Sequence, residues 1–197
     1  MVNIRLAVPA DAAAILKIYA PYISNTSCTF ELEIPTLKEF EKRIETYLLT
    51  WPWLICEIDG SLAGYAYASQ YRERRGYQWC TECSVYIHDD FQNRGVANAL
   101  YDALMQILKM QGFVNVYAVI NLPNPKSVRF HEKAGFTWLA TYDHVGFKLG
   151  RWKDVGWWQL RINDFADEPA PPKEFSKMDT DLLPAVFEKA LKKIKSV

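Results

Sequence analysis

The stretch from Thr81 to Asn98, TECSVYIHDDFQNRGVAN, constrains this chain more than any other. It reads as a strand that breaks at His88-Asp89-Asp90, then a glycine-containing turn that opens directly into an amphipathic helix. The first N–H groups of a helix have no partner four residues back and carry partial positive charge. A turn of this kind is therefore a ready seat for a phosphate. Gly95 lets the backbone come close to such a ligand. Two commoner phosphate loops are excluded, because neither G-x-x-x-x-G-K-S/T nor G-x-G-x-x-G occurs in the chain.

At 197 residues, half of them hydrophobic and 14% aromatic, the chain suits one packed domain. Lysine plus arginine equals aspartate plus glutamate, so overall charge offers no attraction to nucleic acid or to a membrane surface. No apolar run approaches the ~20 residues of a membrane helix. The chain enters a strand at once, without a basic-then-apolar leader, and a cytoplasmic location is expected. Cys80 and Cys83 have C-x-x-C spacing, but alternation along a strand sends them to opposite faces. There is no second cysteine pair, and His88, His131 and His144 lack ligand spacing. Reduced cysteines and no metal are expected.

The pattern predicts a strand over 2–7 and a helix begun at Pro9 and ending near Ser24. Thr36-Leu37-Lys38-Glu39 is a capping box for a second helix that Pro52 ends. Trp53–Ile58, Asp59-Gly60 and Leu62–Gln70 form a hairpin, 71–78 a polar loop and Trp79–Ile87 the next strand. A helix from Val96 to Met110 is closed by Gly112, and Val114–Ile120 reads as a central buried strand. A short helix runs from Pro125 to Gly135, followed by strands over 136–145 and 155–162. Residues 1–163 are the expected domain; 164–197 reads as a Pro- and charge-rich linker with an amphipathic helix over 182–194. Docking of that tail on the domain or on a partner, or fraying, is left open.

Gln92-Asn93-Arg94-Gly95-Val96-Ala97 fits Q/R-x-x-G-x-G/A, and the chain resembles the GCN5-related N-acetyltransferases. Further strings resemble their phosphinothricin and methionine sulfoximine N-acetyltransferase subgroup. These include Trp51-Pro52-Trp53-Leu54, Leu122-Pro123-Asn124-Pro125-Lys126-Ser127-Val128, His131-Glu132-Lys133-Ala134-Gly135-Phe136 and Gly150-Arg151-Trp152-Lys153-Asp154-Val155-Gly156-Trp157-Trp158-Gln159-Leu160. The resemblance spans about residues 3–162. It implies an α/β (α+β) fold, a mixed curved sheet with flanking helices in which Trp79–Ile87 and Val114–Ile120 are parallel and splay apart. It also implies acetyl-CoA as co-substrate, a small amino-acid-like acceptor and a homodimer joined near the aromatic end of the chain.

By the same resemblance Glu82 is the base for the amine proton and His131 the acid or base near the sulfur. Val85, Tyr86 and Ile87 offer backbone groups to the pantetheine and thioester. Asn93, Arg94, Gly95, Val96, Ala97 and Asn98 cradle the pyrophosphate, Asn124 bonds the pantetheine arm and Lys133 reaches the phosphates. Phe30, Glu31, Arg72, Arg75, Gly76 and Tyr77 are the expected acceptor residues, arginine suiting a carboxylate or phosphinate. Bland alternatives remain: Glu82 paired with an arginine, Lys133 a solvated helix lysine, and Arg72, Arg74 and Arg75 an exposed charged loop. Acetylation of peptides or proteins, and acyl-CoA sensing without turnover, are the competing functions; retention of both Glu82 and His131 speaks against the sensor. Attack is expected to be direct, although Cys83 beside Glu82 leaves a covalent route formally open. Herbicide resistance would be incidental to an ordinary metabolic acceptor.

Overall fold

The computed structural model describes residues 1–195; the last two positions of the expected tail lie outside the described residues. Strands β1 (Val2–Leu6), β2 (Trp53–Ile58), β3 (Ser61–Gln70), β4 (Cys80–Ile87), β5 (Asn115–Leu122), β6 (Thr137–Lys148) and β7 (Arg151–Arg161) form one sheet in the order β1-β2-β3-β4-β5-β7-β6. Every neighbouring pair is antiparallel except β4 and β5, which run parallel.

Helices cover both faces of the sheet. On one face lie α1 (Ala12–Asn25) and α2 (Leu37–Thr50), whose Ile15, Ile18, Ile23, Phe40 and Ile44 are buried with Trp53, Ile55 and Tyr65 of β2 and β3. The capping box at the start of α2 is formed: Thr36 Oγ1 accepts from the Glu39 N–H at 3.3 Å, and the Glu39 carboxylate accepts from the Thr36 N–H at 2.8 Å. The opposite face carries α3 (Val96–Gln111), with Leu100, Leu104, Ile107 and Leu108 fully buried against Val116, Ala118 and Ile120 of β5. Side chains of that size contribute ~1.5–3 kcal/mol each when removed from water, which fixes α3 across the central strands. Gly112, at φ +94°, ends α3 in the left-handed conformation where its N–H reaches the Leu108 and Lys109 carbonyls. A short α4 (Pro125–Lys133) follows β5, capped by the Asn124 side chain on the Ser127 N–H at 3.1 Å.

The last part of the sheet differs from the sequence expectation. The last two strands are longer than 136–145 and 155–162, because β6 and β7 continue to a tight hairpin turn at Leu149-Gly150, both residues having positive φ. Register irregularities between Tyr142 and Gly146 absorb the glycine and polar residues that mask the strand pattern.

The tail is laced to the domain. Within 164–177, the Trp79 indole N–H donates to the Ala170 carbonyl at 2.9 Å. The Lys173 N–H donates to the Gln111 carbonyl at 2.8 Å, and the Gln111 amide returns a bond to the Lys173 carbonyl at 2.7 Å. Helix α5 (Leu183–Leu191) then packs on α3 and β1, burying Leu183, Val186 and Ala190 in the same core as Leu100 and Leu104.

Candidate active site

The site begins where a sheet stops pairing. Strands β4 and β5 are in register only at Cys80–Asn115, Thr81–Val116 and Glu82–Tyr117, although β4 continues to Ile87 and β5 to Leu122. Beyond Glu82 the β5-facing backbone groups of β4 have no ladder partner, so they are available to an extended ligand. A cavity of about 420 Å³ fills the wedge, lined among others by Ser84, Val85, Tyr86, Ala97, Asn121 and His131.

Glu82 sits at the last paired position, at the mouth of this wedge. Alternation places it on the same side of β4 as Tyr86, whose ring packs edge-on against Tyr19 and Tyr22 of α1. Among the described residues no side chain forms a hydrogen bond or ion pair with its carboxylate. The arginine pairing weighed above is therefore not formed. Burial pushes the Glu82 carboxyl up to about 7, with the charge of Arg72 pulling the other way. A half-buried, unpartnered carboxylate that titrates near neutrality is suited to taking a proton.

The other side of β4 carries a buried polar chain. The Cys83 thiol donates to the Tyr101 oxygen at 3.4 Å, and Tyr101 Oη lies 3.0 Å from His131 Nε2. His131 Nδ1 lies 2.8 Å from the Ser127 carbonyl, which only accepts, so the proton is on Nδ1 and Nε2 accepts from Tyr101. Burial lowers the His131 pKa from its ordinary value, the bond to Ser127 opposing this in part, so the ring is neutral at pH 7. Burial pushes the Cys83 thiol up to about 12, which keeps it protonated and disfavours a covalent route. Tyr101 and His131 both line the cavity. Sequence reasoning missed Tyr101 because it falls on the buried stripe of α3 and reads as core.

The turn before α3 has the shape a phosphate needs. Asn93 (φ +62°) and Gly95 (φ +89°) are both left-handed, and α3 has no side-chain cap. Its first internal bond runs from the Ala99 N–H to the Gly95 carbonyl at 3.0 Å, leaving the N–H groups before it for a ligand. Gln92, Asn93 and Ala97 line the wedge cavity, and the Arg94 guanidinium lies over the Phe91 ring at 5.3 Å. Asn98 and Lys133 line a second cavity on the outer side of α3 and α4. Asn124 lines the wedge, with its oxygen engaged in capping α4 and its amide 3.6 Å from the Cys28 sulfur. Asn121, also missed, lines the wedge with a buried Nδ2 that has no partner among the described residues.

The expected acceptor residues divide. Arg72 and Tyr77 line a cavity of about 580 Å³ with Tyr71 and Arg74, whereas Arg75 and Gly76 sit on an exposed turn outside it. Tyr71 stacks on Tyr117, the strand partner of Glu82, with ring centroids 4.5 Å apart, which ties this loop to the mouth of the wedge. Glu31 faces inward, held by Arg43 at 2.6 Å and by the Tyr19 hydroxyl at 3.1 Å, and so braces its own loop. Lys148 fixes that loop from β6 through the Thr29 carbonyl at 2.7 Å. Phe30 packs on Gly146, where a Cβ would collide with its ring. Asp143, His144 and Asp154 come together, largely exposed, at the β6–β7 irregularity, a metal-type grouping that sequence spacing does not reveal.

Known proteins resemble this chain in sequence and in fold. The acetyltransferase (GNAT) domain family matches residues 4–157. The phosphinothricin N-acetyltransferase of Streptomyces viridochromogenes is 41% identical over 172 residues, 87% of this chain and 92% of that protein. The L-methionine sulfoximine/L-methionine sulfone acetyltransferase of Salmonella typhimurium is 32% identical over 168 residues, 83% of this chain and 96% of that one. A crystal structure of a phosphinothricin acetyltransferase from Sinorhizobium meliloti in complex with acetyl-CoA is 29% identical, with a TM-score of 0.80 over 88% of this chain and 98% of that one. With a splayed parallel pair, an uncapped helix start beside it and these matches over most of its length, the chain belongs to the GNAT family of acetyltransferases.

Proposed function

We propose that the chain transfers the acetyl group of acetyl-CoA to the α-amine of a small amino-acid-like acceptor of the phosphinothricin, methionine sulfoximine or methionine sulfone type. The observation that carries this reading is Glu82, an unpartnered carboxylate titrating near 7 at the mouth of the β4–β5 wedge. The names of the relatives supply the acceptor class.

In this reading the backbone of Val85 and the Ile87 N–H pair with the pantetheine arm in place of β5, whereas the Tyr86 backbone faces β3 and the Ile87 carbonyl is held by Tyr22. The N–H groups of 93–98 meet the pyrophosphate. Glu82 takes a proton from the acceptor ammonium, freeing the lone pair that attacks the thioester carbon. The new bond is N–C and the bond broken is C–S. The sulfur leaves as thiolate and takes the Tyr101 hydroxyl proton, and the second amine proton passes to solvent. Tyr101 regains its proton from solvent in the wedge, and neutral His131 holds its hydroxyl there through Nε2. Arg72 and its cavity meet the acceptor's carboxylate or phosphinate, close enough to Glu82 for their charges to interact.

Release of free thiol from acetyl-CoA, measured with a panel of amino acids and these analogues, tests the reading. Turnover at the ordinary enzyme scale of ~1–10³ s⁻¹ with one of them is expected. A Tyr101→Phe variant should lose ~10²-fold in kcat with the acceptor KM little changed. Turnover with peptides alone would instead establish the peptide acetyltransferase reading.

The same proposal includes a homodimer. The edge strand β6 and its hairpin partner expose Trp138 (58%), Val145, Phe147 and Trp152 (59%), a concentration of apolar side chains that a second copy would cover. Light scattering should give twice the 22.8 kDa chain mass, and Val145→Glu should halve it. A monomer before substitution would remove this part of the proposal.

A further inference from the structure

The segment after α5 is packed onto the phosphate loop. The Lys195 N–H donates to the Arg94 carbonyl at 2.9 Å. At Gly95 a Cβ would collide with the carbonyl oxygen of Lys193 and lie 3.3 Å from Ile194 Cα. Lys193 Nζ extends along α3 to Asp102 Oδ1 at 2.6 Å, the other oxygen of that carboxylate accepting from Gln106 at 2.9 Å. Lys193 therefore joins Asn98, Tyr101 and Lys133 around a cavity of about 460 Å³ between α3 and α4. Tyr101 also lines the wedge cavity, so one side chain borders both spaces.

Asn98, in the first turn of α3, borders this second cavity, which places it beside a ligand that runs out of the wedge over the helix start. From Val96 to Asp102 the helix advances ~9 Å at 1.5 Å per residue, so this cavity lies near enough to the helix start for a 3′-phosphate on the ribose whose 5′ oxygen carries the pyrophosphate. Two lysines meet there, one from α4 and one from a tail outside the region 4–157 that the family match covers. Asp102 alone would repel a phosphate, and Lys193 neutralises it.

We propose that the tail is a working part of the cofactor site: residues 192–195 brace the loop at Gly95, and Lys193 joins Lys133 in receiving the 3′-phosphate of coenzyme A. The proposal rests on the acetyl-CoA reading of the wedge.

Calorimetric titration of the full chain with coenzyme A and with 3′-dephospho-coenzyme A tests it. The wild type should prefer coenzyme A by about three- to tenfold, as expected for one charge-assisted contact at a partly exposed site. Lys193→Met should abolish most of that preference and leave the dephospho-coenzyme A affinity unchanged. Asp102→Asn keeps the lysine and frees it from its carboxylate, so the preference should persist or grow. An unchanged preference in Lys193→Met, or its loss in Asp102→Asn, would show that the Lys193–Asp102 pair serves only to dock the tail and would overturn the proposal. If the wild type bound neither nucleotide, the acetyl-CoA reading itself would fail.

Discussion

Glu82→Gln is expected to lower kcat/KM for the acceptor by ~10²–10⁴-fold while making the protein more stable at pH 8. Both effects have one cause. The carboxylate is kept from water by the sheet and its neighbours and has no partner within hydrogen-bond or ion-pair reach among the described residues, so burial raises its pKa to about 7 from an ordinary 4.5. For catalysis this is an advantage, since the conjugate base is present at neutral pH and is basic enough to take a proton. The wild-type kcat/KM should therefore rise with pH through about 7, and the Gln variant should lack that rise. For stability the sign is opposite. Between 4.5 and about 7 the folded chain holds a proton that the unfolded chain has released, so stability falls as pH climbs through that window. At 1.36 kcal/mol per pH decade the loss is at most ~3 kcal/mol, and less because part of the side chain reaches solvent. Removing the charge should raise the melting temperature of the variant at pH 8 by ~2–5 °C, an advantage that disappears at pH 4.5. A variant that melted lower than wild type at pH 8 would mean that Glu82 has a stabilising partner and is not a poised base.

Much of the fold is legible in the sequence where periodicity and punctuation agree. The capping box at Thr36 and Glu39, the Asp59-Gly60 hairpin and the Gly112 end of α3 fall where the chain pattern places them. The β6–β7 hairpin is harder to see, because Gly146, Lys148 and Gly150 look like a loop until two long strands pair across irregular register. In the site, Glu82 and His131 stand out through family resemblance, not by spacing. Tyr101 is hidden because its α3 position matches a core stripe. Glu31 enters through the resemblance alone, and its bonds to Arg43 and Tyr19 are brought together only by the fold. The tail's apolar face leaves docking on the domain, docking on a partner and fraying all open in the sequence. No local signal names α3 and the phosphate loop as the surface, because that match is made by shape at Gly95.

Gly95→Ala should be the most damaging single-methyl change in the cofactor loop, for two separable reasons. The residue lies at φ +89°, where an L side chain costs ~1–2 kcal/mol, and its missing Cβ is the space filled by the carbonyl of Lys193. Gly150, at φ +71° with no atom within 4 Å of a built Cβ, is the control that carries the first cost alone. Urea unfolding should therefore show a loss of ~1 kcal/mol for Gly150→Ala and ~2–4 kcal/mol for Gly95→Ala. Coenzyme A affinity should be untouched in the first and at least tenfold weaker in the second, since displacing the turn moves the N–H groups that meet the pyrophosphate. Ending the chain after Leu191 removes the crowding atoms without removing the backbone strain. In that background the stability cost of Gly95→Ala should shrink towards that of Gly150→Ala, an interaction of ~1–2 kcal/mol between loop and tail. Equal costs for Gly95→Ala with and without residues 192–197 would show that the loop keeps its shape unaided, and that the tail touches it without supporting it.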